Sequence, residues 1–479
     1  MNPARQITAQ VVVVGGGPGG YAAAFLAADL GLSTALVDPE ASPGGVCVYR
    51  GCIPSKALLH VAKLLDESRH AKAWGIDFGQ PRIDLAKLRS FKDSVVKKNT
   101  SGTSQLVKHR KVQYIQGYAE IVDPHTLKIR KTAGGEETLR FEHAVLATGS
   151  SPAVPPTLNV DDPRVMDSTS ALELPDIPKT LLVVGGGYIG LELGSVYAAL
   201  GTAVTVVEMT SGLLPGADRD LVDVLARRIT QAMKAVLINS RVVQMKPAPA
   251  GIRVSLEGEG VPSGGNEQAF DRVLVAVGRR PNSKIAGLEA TRVRVNERGF
   301  IVVDEQMRTA EPSIFAIGDV VGEPMLAHKA SHEGRVAVEV IAGGNVAFQP
   351  RAIPAVVFTD PEIAWAGLTE AQAQKDGRAV TVAKFPWGAS GRAATLDRTD
   401  GLTKLFVDPE TERILGVGLV GPGAGELIAE GVLAIEMGAN VTDLKLSIHP
   451  HPTLTETLME SAEVFFGQAT HVYRPRPRH

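Results

Sequence analysis

The sequence predicts an α/β fold of two Rossmann-like domains, the second inserted into the first, followed by a C-terminal α+β domain. Three observations carry this. The chain has 479 residues, too many for one hydrophobic core and enough for about three domains of ~150 residues each. A strand–turn–helix–strand unit at Val11–Asp38 recurs without a gap at Leu181–Glu208. Beyond Arg351, strand-like runs (Val356 to Phe358, Ile414 to Val420) mix with a helical one (Leu427 to Met437).

The two repeats share one physical logic. Each opens with an apolar, β-branched strand, Val11–Val14 or Leu181–Val184, and turns through Gly-x-Gly-x-x-Gly. The first glycine, Gly15 or Gly185, makes the tight turn. The second, Gly17 or Gly187, lets a pyrophosphate approach the backbone, and the third, Gly20 or Gly190, allows the helix to pack closely on the strand. The helix N-terminus then offers unpaired N–H groups and the positive end of its dipole to phosphate. A second strand ends in an acid, Asp38 or Glu208, which can accept hydrogen bonds from an adenosine ribose. One such motif can be a purely structural turn. Strand, spacing, helix and acid coinciding twice indicate two dinucleotide sites.

Each repeat is followed by another buried strand that ends on a glycine. Ala144–Leu146 leads into Ala147-Thr148-Gly149, and Val273–Val275 leads into Ala276-Val277-Gly278. Both read as backbone passing close to a cofactor. A further apolar strand, Ile314–Ile317, runs into Gly318-Asp319 and returns the chain to the first domain. The expected boundaries are 1–153, 154–281 for the inserted domain, 282–350 for the return segment and 351–479 for the last domain.

Composition narrows the function. The formal net charge is −2, with 44% hydrophobic and 21% charged residues, so there is no electrostatic reason to bind nucleic acid or an anionic membrane. The short basic tail Arg474–Arg478 reads as a solvated end. Residues 11–28 carry no charge, but five glycines and Pro18 fall among them, which fits strand, turn and helix rather than a membrane span. No secretory signal is visible at the start, so a cytoplasmic protein is expected. It has only two cysteines, Cys47 and Cys52. That excludes a disulfide framework, and two thiols without a nearby His make a poor zinc site. Redox chemistry is the better reading, and no metal is expected.

A regular helix would separate the two Cα atoms by about 7.5 Å at ~1.5 Å per residue, whereas a disulfide tolerates roughly 4.4–6.8 Å. A bond between them therefore needs a distorted helix, for which Gly51 supplies the freedom. Pro54 suits a first helical turn ahead of the pattern Ala57–Leu65. The alternative is a pair of buried thiols that never meet.

With these residues in view, the chain resembles the dihydrolipoamide dehydrogenases of the flavoprotein disulfide reductase family from about Gln10 to Gln468. The likeness rests on Cys47-x-x-x-x-Cys52 with Pro54-Ser55-Lys56, on the paired glycine motifs, on Met325-Leu326-Ala327-His328-Lys329-Ala330, and on His449-Pro450-His451-Pro452-Thr453. The resemblance implies FAD in the first domain, beside the cysteines, and NAD in the second. It implies a Cys47–Cys52 disulfide, with Cys47 as the interchange thiol and Cys52 as the charge-transfer thiol against the flavin. Asp319 would bond the ribityl chain, Lys56 would pair with Glu192, and Met325 and Ala327 would border the cofactor. His451, held by Glu456, would be the acid–base and would reach the cysteines of the other subunit of a homodimer formed by the C-terminal dimerisation domain. The substrate would be a dihydrolipoyl group on a carrier protein.

The residues themselves agree less specifically. A dithiol reacts as thiolate and needs a base titrating near neutrality, which His451 supplies. Equally, Thr453-x-x-Glu456 can be a capping box. Two departures from the family stand out: Tyr49-Arg50 replaces the usual Asn-Val, and Asp38 replaces the usual Glu. Arg50 could lower a thiol pKa, meet an acidic carrier, or simply point to solvent. Glu208 disfavours the 2′-phosphate of NADP, which argues against glutathione-type reductases. The C-terminus lacks the extra cysteine pair of mercuric reductases. Soluble transhydrogenases lack the redox pair, and CoA-disulfide reductases use a single cysteine. A non-catalytic flavoprotein scaffold is the remaining alternative, and Cys47, Cys52, His451 and Glu456 together oppose it.

Overall fold

The computed structural model describes residues 6–473; the basic tail Arg474–Arg478 lies outside them. Strand β1 (Gln6–Val14), helix α1 (Pro18–Asp29) and strand β2 (Thr34–Asp38) form the first repeat. Val11, Val12 and Val13 are fully buried, as a central strand covered on both faces requires. β1 lies parallel between β2 and Glu136–Leu146. Gln113–Asp123 extends the sheet beyond β2, and Ile314–Ala316 extends it on the other side. Gln113–Asp123 and Glu136–Leu146 are long enough to leave this sheet and pair antiparallel with Thr126–Lys131.

The edge strand Ile314–Ala316 reaches the sheet only after the second repeat has been completed elsewhere. That repeat builds a five-stranded parallel sheet in the order 235–237, 203–207, 180–184, 272–275, 165–166. A three-stranded antiparallel sheet (240–248, 251–258, 267–270) is appended to it. Outgoing and returning chain run side by side where Ser150–Pro152 pairs antiparallel with Arg279–Pro281. The C-terminal domain is a five-stranded antiparallel sheet in the order 355–357, 362–367, 414–421, 402–407, 381–386, packed with helices Ala424–Met437 and Glu456–Phe465. No helix among the described residues is long and apolar enough to cross a membrane.

Charges as well as apolar side chains join the last two units. Lys404, on strand Leu402–Val407, is fully buried. Its Nζ lies 2.8 Å from Asp218, 2.7 Å from Asp220 and 3.2 Å from Glu370. Asp218 and Asp220 stand at the start of helix Arg219–Ala232 of the inserted unit, so one ammonium ties that unit to the C-terminal sheet. Removing one partner of a buried pair strands the other's charge, at a cost of about 3 kcal/mol or more. Lys404→Met should therefore lower the melting temperature of the holoprotein clearly, measured by scanning calorimetry; an unchanged melting curve would show that the contact is idle.

Candidate active site

The redox segment is a helix in two pieces. Helix α2 (Gly45–Arg50) stops at Gly51, and helix α3 (Cys52–His70) begins immediately after it. A Cβ on Gly51 would stand 2.9 Å from the Val46 carbonyl oxygen and 3.3 Å from the Cα of Cys47. Only glycine permits so close a return, and the return sets Cys52 against Cys47. The two are free thiols, close enough to act on each other. The neighbouring Cys52, with burial adding to its effect, pushes the Cys47 thiol far above its usual range. The neighbouring Cys47 in turn brings Cys52 down to about 7, with the Lys56 charge assisting against burial. Cys52 also opens α3, where the helix dipole favours an anion.

Lys56 lies one turn beyond Cys52, on the same face of α3. Its Nζ is 2.8 Å from Glu192 Oε2 and 4.5 Å from the centre of the Phe358 ring. Glu192 is buried on helix Tyr188–Ala199 of the inserted unit, and its Oε1 accepts the Phe358 N–H at 2.9 Å. Three units of the chain thus meet beside the thiols, and the expected Lys56–Glu192 pair forms.

A cleft of about 510 Å³ passes this junction, lined by Gly17 and Asp38, by Cys47, Cys52 and Lys56, and by Tyr188 and Asp319. Gly15 has φ +109°, and a Cβ there would strike the Ala147 carbonyl, while one on Gly20 would strike Gly15. Gly185 and Gly190 are constrained alike by Ala276 and Gly185. Gly149 also lines the cleft, and a Cβ on it would meet no protein atom within 4 Å. Outside this cleft, a Cβ on Gly187 or Gly278 in the second repeat's unit would likewise meet no protein atom within 4 Å. Added side chains there would occupy ligand space, so the residues present fit a dinucleotide. Asp38 accepts the Gly16 N–H at 2.5 Å, and Glu208 accepts the Gly186 N–H at 2.7 Å. Each acid thus fastens the turn it follows. Asp319 accepts from Ser150 Oγ at 2.5 Å. Its turn is held by Glu333, which takes the Gly318 N–H at 2.7 Å and pairs with buried Lys329 at 2.7 Å. Met325 and Ala327 complete the lining, Ala327 as the first residue of helix Ala327–Ile341.

His451 and Glu456 lie apart from this cleft. His451 Nδ1 is 2.9 Å from Glu456 Oε1, and the imidazole side chain is 73% exposed. Glu456 Oε2 accepts the Thr453 N–H at 2.8 Å. Although burial opposes it, hydrogen bonds from Thr453 and His451 hold the Glu456 carboxyl below its usual range. The alternative capping box does not form as such. The helix starts at Glu456 itself with Thr455 as its cap, so the carboxylate reaches back to Thr453 while also orienting the histidine. His449 is bound to Glu430 at 2.7 Å and His328 to the Pro354 carbonyl at 2.8 Å. Among the described residues, no group of three or more His, Cys, Asp or Glu could hold a metal.

The pyridine nucleotide-disulphide oxidoreductase model matches residues 9–334, and the model of the family's dimerisation domain matches residues 353–462. The chain belongs to this family. Dihydrolipoyl dehydrogenases from Haemophilus influenzae and Vibrio parahaemolyticus are each 48% identical to it, with 97% of both chains covered. One from Geobacillus stearothermophilus is 44% identical over 97% of this chain and 98% of its own. Among solved structures, LpdA of Mycobacterium tuberculosis superposes with a TM-score of 0.87 at 27% identity, over 96% of this chain and 99% of that one. The HOCl-induced flavoprotein disulfide reductase RclA of Escherichia coli gives 0.84 at 29%, over 95% and 99%.

As a pyridine nucleotide-disulphide oxidoreductase the chain uses FAD and NAD. Several residues that shape its site escaped the sequence reading. Tyr188 sits inside the second glycine motif, which was its only signal, and lines the cleft. Ser150, Arg279, Glu333 and Phe358 act through contacts that no local pattern announces. Alkylation of the reduced protein should rise with pH through an inflection near 7, the Cys52 thiolate being the reactive form. In Lys56→Met the cation is gone and Glu192 is unpaired, both of which favour the protonated thiol, so the inflection should move upward. A profile unmoved by this change would separate Lys56 from the acidity of Cys52.

Proposed function

We propose that the chain acts as a dihydrolipoyl dehydrogenase in which Cys47 and Cys52 are the redox pair and His451, oriented by Glu456, is the acid–base. The observation carrying this is the pair of thiols brought together by the close return at Gly51, with Lys56, held by Glu192, one turn beyond Cys52. In the oxidised form a dihydrolipoyl thiolate attacks the sulfur of Cys47, and Cys52 departs as thiolate. The sulfur with the lower pKa is the better leaving group, which fits this direction of attack. The second lipoyl thiol, deprotonated by His451, then displaces Cys47, giving lipoyl disulfide and a reduced cysteine pair. FAD, when bound, supplies the relay that carries the electron pair to NAD+. Gly15, Gly17, Gly20, Asp38, Gly149, Asp319, Met325 and Ala327 would hold FAD. Gly185, Gly187, Gly190, Glu208 and Gly278 would hold NAD, and Lys56 and Glu192 would sit between the two.

The domains would divide at 153, 281 and 350. The substrate would be the dihydrolipoyl group of a carrier protein, and the protein would be cytoplasmic. The working unit would be a homodimer. Met437, Leu446 and Ile448 are strongly exposed on the C-terminal domain, Ile448 three positions before His451 in the chain, and exposed apolar side chains of this kind suit a two-fold contact. Such a contact would bring His451 of one subunit to Cys47 of the other. Cys47→Ser and His451→Ala should each abolish dihydrolipoamide oxidation by NAD+. Isolated mixed dimers of the two should recover up to about half of parental activity, since one of the two reciprocal sites is intact. Inactive mixed dimers that retain FAD would count against shared sites.

A further inference from the structure

Tyr49 and Arg50 stand between the two cysteines, yet neither side chain joins the thiols. Tyr49 Oη donates to the Ser42 carbonyl at 3.0 Å, and its ring lies 5.9 Å from the Arg50 guanidinium carbon. Arg50 forms an ion pair with Glu40, two residues beyond the end of β2. It is not among the leading influences on Cys47 or Cys52. It acts instead on Asp38, whose carboxyl burial pushes up while the Gly16 N–H and Arg50 pull it down. Neither a thiol activator nor a free surface charge describes this residue.

Asp38, Glu40 and Arg50 all line the dinucleotide cleft. Because Asp38 takes the Gly16 N–H, this stretch of wall adjoins the first glycine loop. Gly45, at the other end of the helix that carries Arg50, lies against Gly17, where its own Cβ would come within 2.5 Å of the Gly17 Cα. A bound dinucleotide places its diphosphate on this loop and on the N-terminus of α1. The diphosphate carries two negative charges, and the carboxylates Asp38 and Glu40 oppose it. Of the other cations lining the cleft, Lys56 is committed to Glu192 and Arg279 to Ser150, while Lys284 belongs to the return segment. Arg50 is the cation brought here by the segment that covers the loop.

We infer that Arg50 is a ligand of the FAD diphosphate, held toward it by Glu40. A guanidinium has five donors in a planar fork, so it keeps Glu40 and still gives charge-assisted bonds to phosphate oxygens. The helix that presents Cys47 then also carries a ligand for the cofactor that the cysteines serve. FAD retention and the placement of the redox pair share one element, and the replacement of Val by Arg in this chain strengthens the first without touching the second.

The test compares the parent with Arg50→Val, Arg50→Lys and Glu40→Gln. FAD release from each holoprotein is followed by the rise in free flavin fluorescence, and each apoprotein is titrated with FAD at low and at physiological salt. Arg50→Val should weaken FAD binding roughly tenfold or more, the scale of a charge-assisted hydrogen bond. Arg50→Lys should restore part of the loss as a point charge, and Glu40→Gln should lose less than Arg50→Val. The gap between parent and Arg50→Val should narrow as salt rises. The pH profile of thiol alkylation should be the same in Arg50→Val as in the parent. FAD retention equal to the parent in Arg50→Val would overturn the inference. So would a loss that Arg50→Lys does not recover at all, since the charge would then not be its cause.

Discussion

The contact on which the site depends is the one between Gly45 and Gly17. Gly45 adopts φ +57°, and any side chain there would drive into the backbone of the first glycine loop. Two segments with separate tasks, one to receive a diphosphate and one to carry thiols, therefore meet without a side chain between them. The Gly44 N–H adds a 2.7 Å bond to the Gly16 carbonyl. From this contact α2 runs to Gly51, where a second close backbone approach folds Cys52 onto Cys47. The distance between cofactor loop and redox pair is thus set by covalent geometry and van der Waals radii, which vary little, rather than by long flexible side chains.

Electrostatics then distinguishes two chemically identical thiols. Cys47 is pushed toward the protonated form by its neighbour and by burial; Cys52 stands at a helix N-terminus, close to Lys56, and is the more acidic of the two. The lysine could not hold its place alone, since a long side chain loses considerable entropy on ordering. Glu192 fixes it, and Glu192 is in turn bonded to the Phe358 backbone. Because these residues come from three units of the fold, the acidity of Cys52 depends on how the inserted and C-terminal units dock. The buried Lys404 cluster matters to function for that reason: it braces the inserted unit against the C-terminal sheet, at a distance from the chemistry.

What could be read from the sequence and what could not divide by the range of the interaction. The glycine spacings were legible because each glycine answers a local demand, a positive φ at Gly15 and a close helix–strand approach at Gly20, and the same demands recur at Gly185 and Gly190. The broken helix at Gly51 followed from the reach of a disulfide. The Lys56–Glu192 pair spans 136 residues, and the Glu192–Phe358 bond spans 166; family likeness supplied the first and nothing supplied the second. Arg50 was visible as a departure, but its partner was not, because whether it turns to thiol, solvent or Glu40 depends on the path of the chain after β2. Asp38 and Glu208 were expected to serve a ribose, and the structure shows each also tying down its own turn. That second task could not be seen without the backbone N–H of Gly16 or Gly186 in place.

The His451–Glu456 pair shows how a weak interaction can still matter. An ion pair with so exposed an imidazole contributes only ~0–1 kcal/mol to stability, so stability does not explain it. Its effect lies in direction. Glu456 is itself anchored by the Thr453 N–H, and it therefore holds Nδ1 at a fixed bearing. A proton on Nδ1, donated to the carboxylate, leaves Nε2 as the acceptor, and in the proposed function this nitrogen would take the proton of an incoming thiol. The imidazole lies outside the cleft that holds its own chain's cysteines, so the acid–base role proposed for it would need a second subunit. In the proposed dimer the same bearing would present Nε2 to the neighbouring subunit, and the exposure of the imidazole would be the condition for sharing a site.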